Sequence, residues 1–595
     1  MFLRCTTRKK NGKEHRYYSL VENRRVASGR VVQRHALYLG EINDTQQEAW
    51  RKTIEIFEEG QARPRTVALF PEDRIGPVAD EQIVRIRLKE LSLHRPRQWG
   101  GCWLAVRLWE QLGLERFWAE RLPPSRKGTR WDWVLQILVA YRLLDPGSEW
   151  RLYRHWFEHS AMADLLGVDQ ELAEIHKLYE CHERLLAHKE PLFTHLTQRW
   201  KDLFNARLEV LLYDLTSTYF ESDPPFAEGD KRQYGYSRDK RPDCVQVVVA
   251  LIVTPEGFPL AYEVMAGNTS DKTTLGDFLK KIEAQYGQAE RIWVMDRGIP
   301  TEQWLDQMRQ ARPPVHYLVG TPRGHLTRYE QQLAQLPWQV AREGVSVKLL
   351  PQESELYVLA QSKDRVNKER AMRRRQLKRL WRRLKELKDM KLKRDELLKK
   401  LGAALHQYPA AARLIRSSVE KDHAQLDYGL DKVKLRQARR REGRYLLRSN
   451  LTSGRSPAQL WQFYVQLTEV EAAFKNLKDD LALRPIYHQL EQRIEAHIFI
   501  CFLAYCLHVT LRRRLRDLAP GLTPRAVLEK FATIQMLDVH LPTDDQRTVI
   551  LSRYTHPETD VQLLLQSLKL ELPAQPPPKI TKPPPSAQQG FVVKT

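Results

Sequence analysis

Three acidic residues stand where acids are costly. Asp214 closes the apolar run "LEVLLYD" and Asp296 closes "RIWVMD". Both runs have the length and composition of core strands, so each carboxylate emerges at the middle or carboxyl end of one. A carboxylate there is expensive unless it is paired or holds a cation. Taken singly, each reads as an Asp that ends a strand and opens a turn. Two of them in one sheet shift the balance toward function. The third acid, Glu471, lies in "YVQLTEVEAAFKNLK" (464–478). At about 100° per residue, Glu471 sits at about 340° and Lys478 at about 320° from Tyr464. The three align along the rim of an apolar arc made by Phe463, Val470, Phe474, Leu477 and Leu481, while Glu469 points toward solvent. Spacing therefore selects Glu471 over Glu469. The bland alternative is a rim Glu in a surface pair, and an i,i+7 pair is too long to be strong. Three carboxylates from two strands and one helix suit hard divalent ions such as Mg²⁺. Two such ions can activate a water or a 3′-hydroxyl and stabilise a leaving oxygen, the chemistry that cuts and joins phosphodiesters.

Positioning these acids requires a sheet covered by helices. "LEVLLYDL", "CVQVVVALIVT" (244–254) and "FPLAYEVMAG" (258–267) read as strands, the last two joined by Pro255, Glu256 and Gly257 as a hairpin. "TLGDFLKKIEAQYG" reads as helix, "RIWVMDRG" (291–298) as strand, "TEQWLDQMRQA" as helix and "VHYLVG" (315–320) as strand. The order β-β-β-α-β-α-β implies an α/β fold with a mixed sheet. "GRYLLRSNLT" (443–452) returns to strand just before the Glu471 helix.

The rest of the chain is organised around that core. Its 595 residues exceed one hydrophobic core, so several domains are expected. The net charge of +23 favours a nucleic-acid partner, since Lys and Arg release counterions on binding phosphate. "AHIFICFLAYCLHVTL" (496–511) is short for a bilayer and carries two histidines, so it reads as a buried helix and no membrane is expected. Six cysteines form no CxxC pair, which argues against a zinc site or disulfide scaffold and fits a reducing cytoplasm. Leu377, Leu380/Trp381, Leu384 and Leu387 recur at helical spacing in a strongly basic stretch, a narrow seam that suits half of a helical hairpin. A solvated face and a phosphate-facing role weigh equally there.

Several linked motifs carry a family resemblance. "YDLTSTYFE" (213–221), "YGYSRDKRPDCVQVVVALIV" (234–253), "GFPLAYEVMAGNTSD" (257–271), "VMDRG" (294–298) and "LRPIYHQLEQRIEAHIFICFLA" (483–504) resemble the IS4-type transposases of bacterial insertion sequences, and the IS1634-like branch most. The likeness runs from the N-terminal "RYYSLVENRRV" to about residue 512. It implies an RNase H-like catalytic core with a DDE triad on Asp214, Asp296 and Glu471, holding two Mg²⁺ ions, with Mn²⁺ as a substitute. The family's Tyr-x2-Arg-x3-Glu-x6-Lys signature falls on Tyr464, Glu471 and Lys478, with Leu467 where the family has Arg.

The implied architecture is a β-hairpin module and linker (1–95), a helical DNA-binding region (96–205), the first part of the core (206–320), an insertion subdomain with the basic helix (321–445), the second part of the core (446–515), a C-terminal helical region (516–572) and a Pro-rich disordered tail (573–595). The implied activity is cleavage at terminal inverted repeats followed by strand transfer. The implied partners are double-stranded DNA, at transposon ends and target, and a second copy of the chain in a synaptic complex in the bacterial cytoplasm, on the nucleoid. Tyr464, Lys478, Arg238, Lys240, Arg241 and Arg484 are the candidate DNA contacts. The basic loop "SRDKRPD" (237–243) reads equally well as a solvated turn, and Arg297 as a neutraliser of local acidity. His488 and His497 read as structural. Two other readings stay open: a catalytically impaired DNA-binding or repressor derivative, which only Leu467 supports, and a non-transposing RNase H-like nuclease.

Overall fold

The computed structural model describes residues 2–10, 13–25, 31–41, 54–56, 65–67, 84–221, 226–270, 275–287, 290–390, 392–420, 425–544 and 546–581. It falls into two compact units. The first comprises Met1–Leu104, His155–Val168 and Leu518–Thr595, and the second Ala105–Arg154 and Asp169–Asp517.

In the first unit, β1 (Phe2–Lys10), β2 (Lys13–Arg25) and β3 (Val31–Glu41) form an antiparallel sheet. Short strands β4 (Ile54–Ile56), β5 (Arg65–Val67) and β6 (Val84–Arg85) form a second sheet. The Pro-containing linker expected before residue 95 otherwise lies largely outside the described residues. Strand β7 (Ser92–Gln98) belongs to a third sheet, completed by chain-terminal strands given below.

The second unit holds the catalytic-type core. Strands β8 (Val210–Phe220) and β10 (Pro259–Ala266) each pair antiparallel with β9 (Val245–Val253) between them. Strands β11 (Ile292–Met295) and β12 (His316–Gly320) run parallel to β8. The order β10-β9-β8-β11-β12, with helices Leu275–Tyr286 and Glu302–Gln310 as crossovers, is the expected RNase H-like arrangement. Every residue of β9 is buried, which is why its sequence is a continuous apolar run rather than an alternating one. The β9–β10 turn uses Gly257 at φ +91, and a Cβ there would come within 2.2 Å of the Arg512 guanidinium.

The sheet continues past β12. Strands β13 (Gln339–Arg342), β14 (Val345–Pro351), β15 (Leu356–Ser362), and β18 (Arg444–Ser449) extend it in the order β12-β18-β15-β14-β13. The segment 321–445, expected as a separate insertion, therefore contributes three strands to the core sheet itself. The remainder is a small body. Helix Lys363–Asp389 packs its Leu380, Leu384 and Leu387 on Leu397 and Leu401 of helix Arg394–Gln407, beside the hairpin of β16 (Ile415–Val419) and β17 (Leu426–Leu430). The leucine seam is thus half of a helical hairpin. Trp381, at its edge, meets Tyr428 edge-on.

The helix Glu491–Leu518 is longer than its apolar stretch and is long and apolar enough to cross a membrane, yet that window is 94% buried inside the protein. Phe193 and Trp118 pack on Phe502 and Phe499 of this helix, and Trp200 donates to Thr510 Oγ1 at 3.3 Å. The region expected as one helical reader, 96–205, is divided between the two units.

The C-terminal region is mixed rather than helical. Strands β19 (Gln535–Pro542), β20 (Thr548–Tyr554) and β21 (Lys579–Ile580) join β7 in the order β21-β20-β19-β7. Alternation in "QMLDVHLP" carries that strand signal. Trp99 stacks on Tyr554, and buried Arg97 pairs with Asp538 at 2.9 Å. The tail expected to be disordered forms β21 at its start, and from residue 582 it lies outside the described residues.

Candidate active site

The parallel register of β8 and β11 decides where the two aspartates meet. Ile292 pairs with Val210 and Met295 with Tyr213, so Asp296 follows its strand at the level of Asp214 on the next one. Neighbouring strands lie about 4.8 Å apart, and residues at one level face the same side. The helix Leu467–Lys475 lies across β8 and β9 on that side, burying Leu467, Val470, Ala473 and Phe474 and presenting Glu471. Asp214, Asp296 and Glu471 line one open cleft of about 1160 Å³.

Their charges act on one another. Burial pushes the Asp214 carboxyl up to about 7; the Leu215 N–H, donating to Asp214 Oδ1 at 2.8 Å, and Arg238 pull it down, while Asp296 and Glu471 push it further up. Glu471 is raised as well, first by burial and then by Asp296. Two carboxyls held above their ordinary range beside a third carboxylate fit a hard divalent cation, which offsets the repulsion.

The same cleft is rich in basic side chains, with Asp364 and Glu369 among them. Arg365, Lys368 and Arg373 of helix Lys363–Asp389 line it with Arg413, Lys434 and Arg441. Sequence reading singled out the helix but not its aim, because periodicity shows which residues share a face and not what that face opposes. The signal for Lys434 and Arg441 was the second basic run, "KVKLRQARRR" (432–441), which was passed over.

Tyr464 also lines the cleft. Its ring stacks on Tyr445 with centroids 5.7 Å apart, and burial, then the Asp296 charge, push its phenol up to about 12. Gly320, at the end of β12, lets it sit close: a Cβ there would lie 2.9 Å from Tyr464 Oη.

The straight helix assumed for Tyr464, Glu471 and Lys478 is in fact three pieces. Helix Pro457–Val465, started by a Ser456/Gln459 capping box, ends at Gln466; helix Leu467–Lys475 follows; residues 476–480 form a π turn. The wide turn changes the angular spacing, so the alignment of Lys478 with Glu471 is not that of a regular wheel. Glu469 is likewise not a solvent residue: it is half-buried and accepts from Arg512 at 2.8 Å. Leu467 is buried and packs, as its place in the apolar arc predicts.

The basic candidates separate into groups. Lys478 and Arg484 both hold Asp239, at 2.9 and 2.7 Å, so that one half-buried acid anchors two cations beside Arg238. Asp239 was missed because it sits among basic residues in the loop. Arg238 acts on Asp214 through its charge. Lys240 is exposed, at φ +61. Arg241 is occupied at the surface, donating to Asp243 at 2.9 Å and to Glu221 at 3.0 Å.

Comparison with known proteins agrees with the geometry. A transposase DDE domain model matches residues 206–507, and a model of the N-terminal domain of IS1634 family transposases matches residues 3–68. No functionally curated protein matches. Among solved structures, a cryo-EM synaptic complex of piggyBac transposase with hairpin DNA aligns at 12% identity, covering 72% of this chain and 85% of that one, with a TM-score of 0.31.

Proposed function

The chain belongs to the IS1634 family of DDE transposases, and from that membership we propose that Asp214, Asp296 and Glu471 are its catalytic carboxylates. It is a DNA-binding nuclease and strand transferase. The observation that carries the assignment is the shared level of Asp214 and Asp296 on adjacent parallel strands, with Glu471 facing the same cleft.

The donor set fits two Mg²⁺ ions, which when bound supply an activated water or 3′-hydroxyl and stabilise the leaving oxygen. The chain's own residues do the rest. Asp214 keeps one oxygen on the Leu215 N–H, which fixes the carboxylate plane and leaves the other oxygen toward the cleft. Arg365, Lys368 and Arg413, which line the same cleft, hold the phosphate backbone. Lys478 and Arg484, steadied by Asp239, place positive charge beside the scissile region, and Tyr464 offers a ring edge and hydroxyl to the displaced strand. Lys240 and Arg241 are peripheral phosphate contacts. Two copies act together on paired transposon ends before transfer to target DNA, in the bacterial cytoplasm.

The test is a nicking assay on the terminal inverted repeats with and without Mg²⁺. Asp214→Asn retains end binding and loses cleavage. A variant that still cuts at the wild-type rate sinks the assignment.

A further inference from the structure

A second polar cluster lies in the same unit and shares no residue with the cleft. Glu149 follows the break at 145–148, where Ser148 Oγ caps the next turn by accepting from the Arg151 N–H. His182 ends helix Ile175–His182, His488 precedes the long buried helix, and His497 lies within it. Their exposures are 5% for Glu149, 0% for His182, 7% for His488 and 3% for His497. His182 Nε2 and His488 Nε2 each stand 3.4 Å from Glu149 Oε1, and His497 Nδ1 stands 3.9 Å from it. One ligand atom each from Glu149, His182 and His488 all lie within 4.8 Å of one another. Among the described residues, none of those facing atoms has a hydrogen-bond partner: Glu149 Oε1, His182 Nε2, His488 Nε2 and both nitrogens of His497 are buried and unsatisfied. Arg142 Nη2 is 3.8 Å from Glu149 Oε1, beyond hydrogen-bond reach, and Arg142 Nη1 donates to the Ala482 carbonyl at 3.2 Å.

Proton accounting shows what is missing. His182 Nδ1 lies 2.8 Å from the Leu178 carbonyl, which can only accept, so Nδ1 carries the proton. In the neutral ring, Nε2 then aims a lone pair at a carboxylate oxygen, an acceptor facing an acceptor. A backbone carbonyl that fixes one ring nitrogen so that the other can ligate is the usual support of a metal-bound histidine. The spacing agrees. In a tetrahedral zinc site with bonds of about 2.05 Å, ligand atoms sit about 3.3 Å apart, beside the 3.4 Å seen for both histidine–glutamate pairs.

We propose that Glu149, His182 and His488 form a closed Zn²⁺ site, with His497 facing the remaining position. Nitrogen and carboxylate donors of this kind suit Zn²⁺, and full burial marks a structural rather than a catalytic site. The ion ties together three pieces distant in sequence: the turn at 148–151, the end of helix Ile175–His182 and the segment entering helix Glu491–Leu518.

The experiment uses the full chain, purified without chelator from zinc-supplemented medium. Elemental analysis is expected to find about one tightly held zinc per chain, retained in Asp214→Asn, which separates it from the acidic cleft. Replacement by Co²⁺ is expected to give the intense visible bands of a tetrahedral site. His488→Cys, which keeps a ligand in place, is expected to add a thiolate-to-cobalt charge-transfer band in the near ultraviolet. The proposal is overturned if the folded wild-type chain carries no zinc and binds Co²⁺ only with a weak octahedral spectrum. It is equally overturned if folded His488→Cys binds Co²⁺ without the new band.

Discussion

The two clusters of ionisable groups in the second unit are built on opposite principles. Asp214, Asp296 and Glu471 line an open cleft and carry only carboxylates, and Asp214 and Glu471 are both raised, first by burial and then by neighbouring acids. Glu149 and its histidines are sealed, mix acceptor types and come from segments that a metal would tie together. An open site of hard oxygen donors can take ions together with substrate phosphate and let both go. A closed site of imidazoles and one carboxylate keeps its ion and lends stability. Burial and donor type, more than the count of acids, separate the catalytic role proposed for one cluster from the structural role proposed for the other.

The sharpest way to break this contrast is to remove one carboxylate from each cluster. Asp214→Asn is expected to lower cleavage by at least ~10³-fold, the scale on which transition-state charge stabilisation is lost, with little change in melting temperature. Glu149→Gln is expected to do the reverse, costing about 3 kcal/mol of stability by stranding buried partners, read by denaturant unfolding, while cleavage by the remaining folded protein persists.

pH distinguishes the clusters next. Asp214 has a folded-state pKa of about 7 against an ordinary 3.8. A raised carboxyl favours the metal-free fold most below its unfolded value, and that contribution is lost as pH rises toward 7. The metal-free protein is therefore expected to melt lower at pH 8 than at pH 5, and Asp214→Asn to flatten that slope. With Asp214 as the proposed Mg²⁺ ligand, the ion competes with the same proton, and the acid limb of the cleavage profile is expected to shift to lower pH as Mg²⁺ is raised. A limb that ignores Mg²⁺ concentration would exclude Asp214 as the titrating ligand.

Smaller effects test the basic side chains of the cleft. Lys368→Ala is expected to weaken end binding and to reduce the slope of log affinity against log salt by about 1, without changing the rate of bound complexes. Arg241→Ala, which removes a peripheral contact whose side chain is shared with Asp243 and Glu221, is expected to reduce that slope by less than Lys368→Ala does.

Much of the core was legible because its signals are local. Apolar runs of strand length, the turn at Pro255, Glu256 and Gly257, and the β-β-β-α-β-α-β order are written in neighbouring residues, and the sheet follows them. Glu471 was separable from Glu469 by a helical count over a stretch that is regular from Leu467 to Lys475. The count failed where the backbone departed from regularity, at Gln466 and at the π turn that carries Lys478. It also failed for Glu469, since only packing brings Arg512 to it. The C-terminal strands were read as helical because short strands on a half-exposed sheet give a weak alternating pattern.

The sequence by itself determined the acids, their place on core strand segments and on one helix face, and the surplus of positive charge, since each depends on residue type and on spacing within a few turns. Tertiary structure alone decided that Asp214 and Asp296 share a level, that the basic helix lines the same cleft, that Asp239 anchors Lys478 and Arg484, and that Glu149 meets His182 and His488. Those meetings join residues tens to hundreds of positions apart, and it is strand register and helix packing, not local propensity, that set such distances.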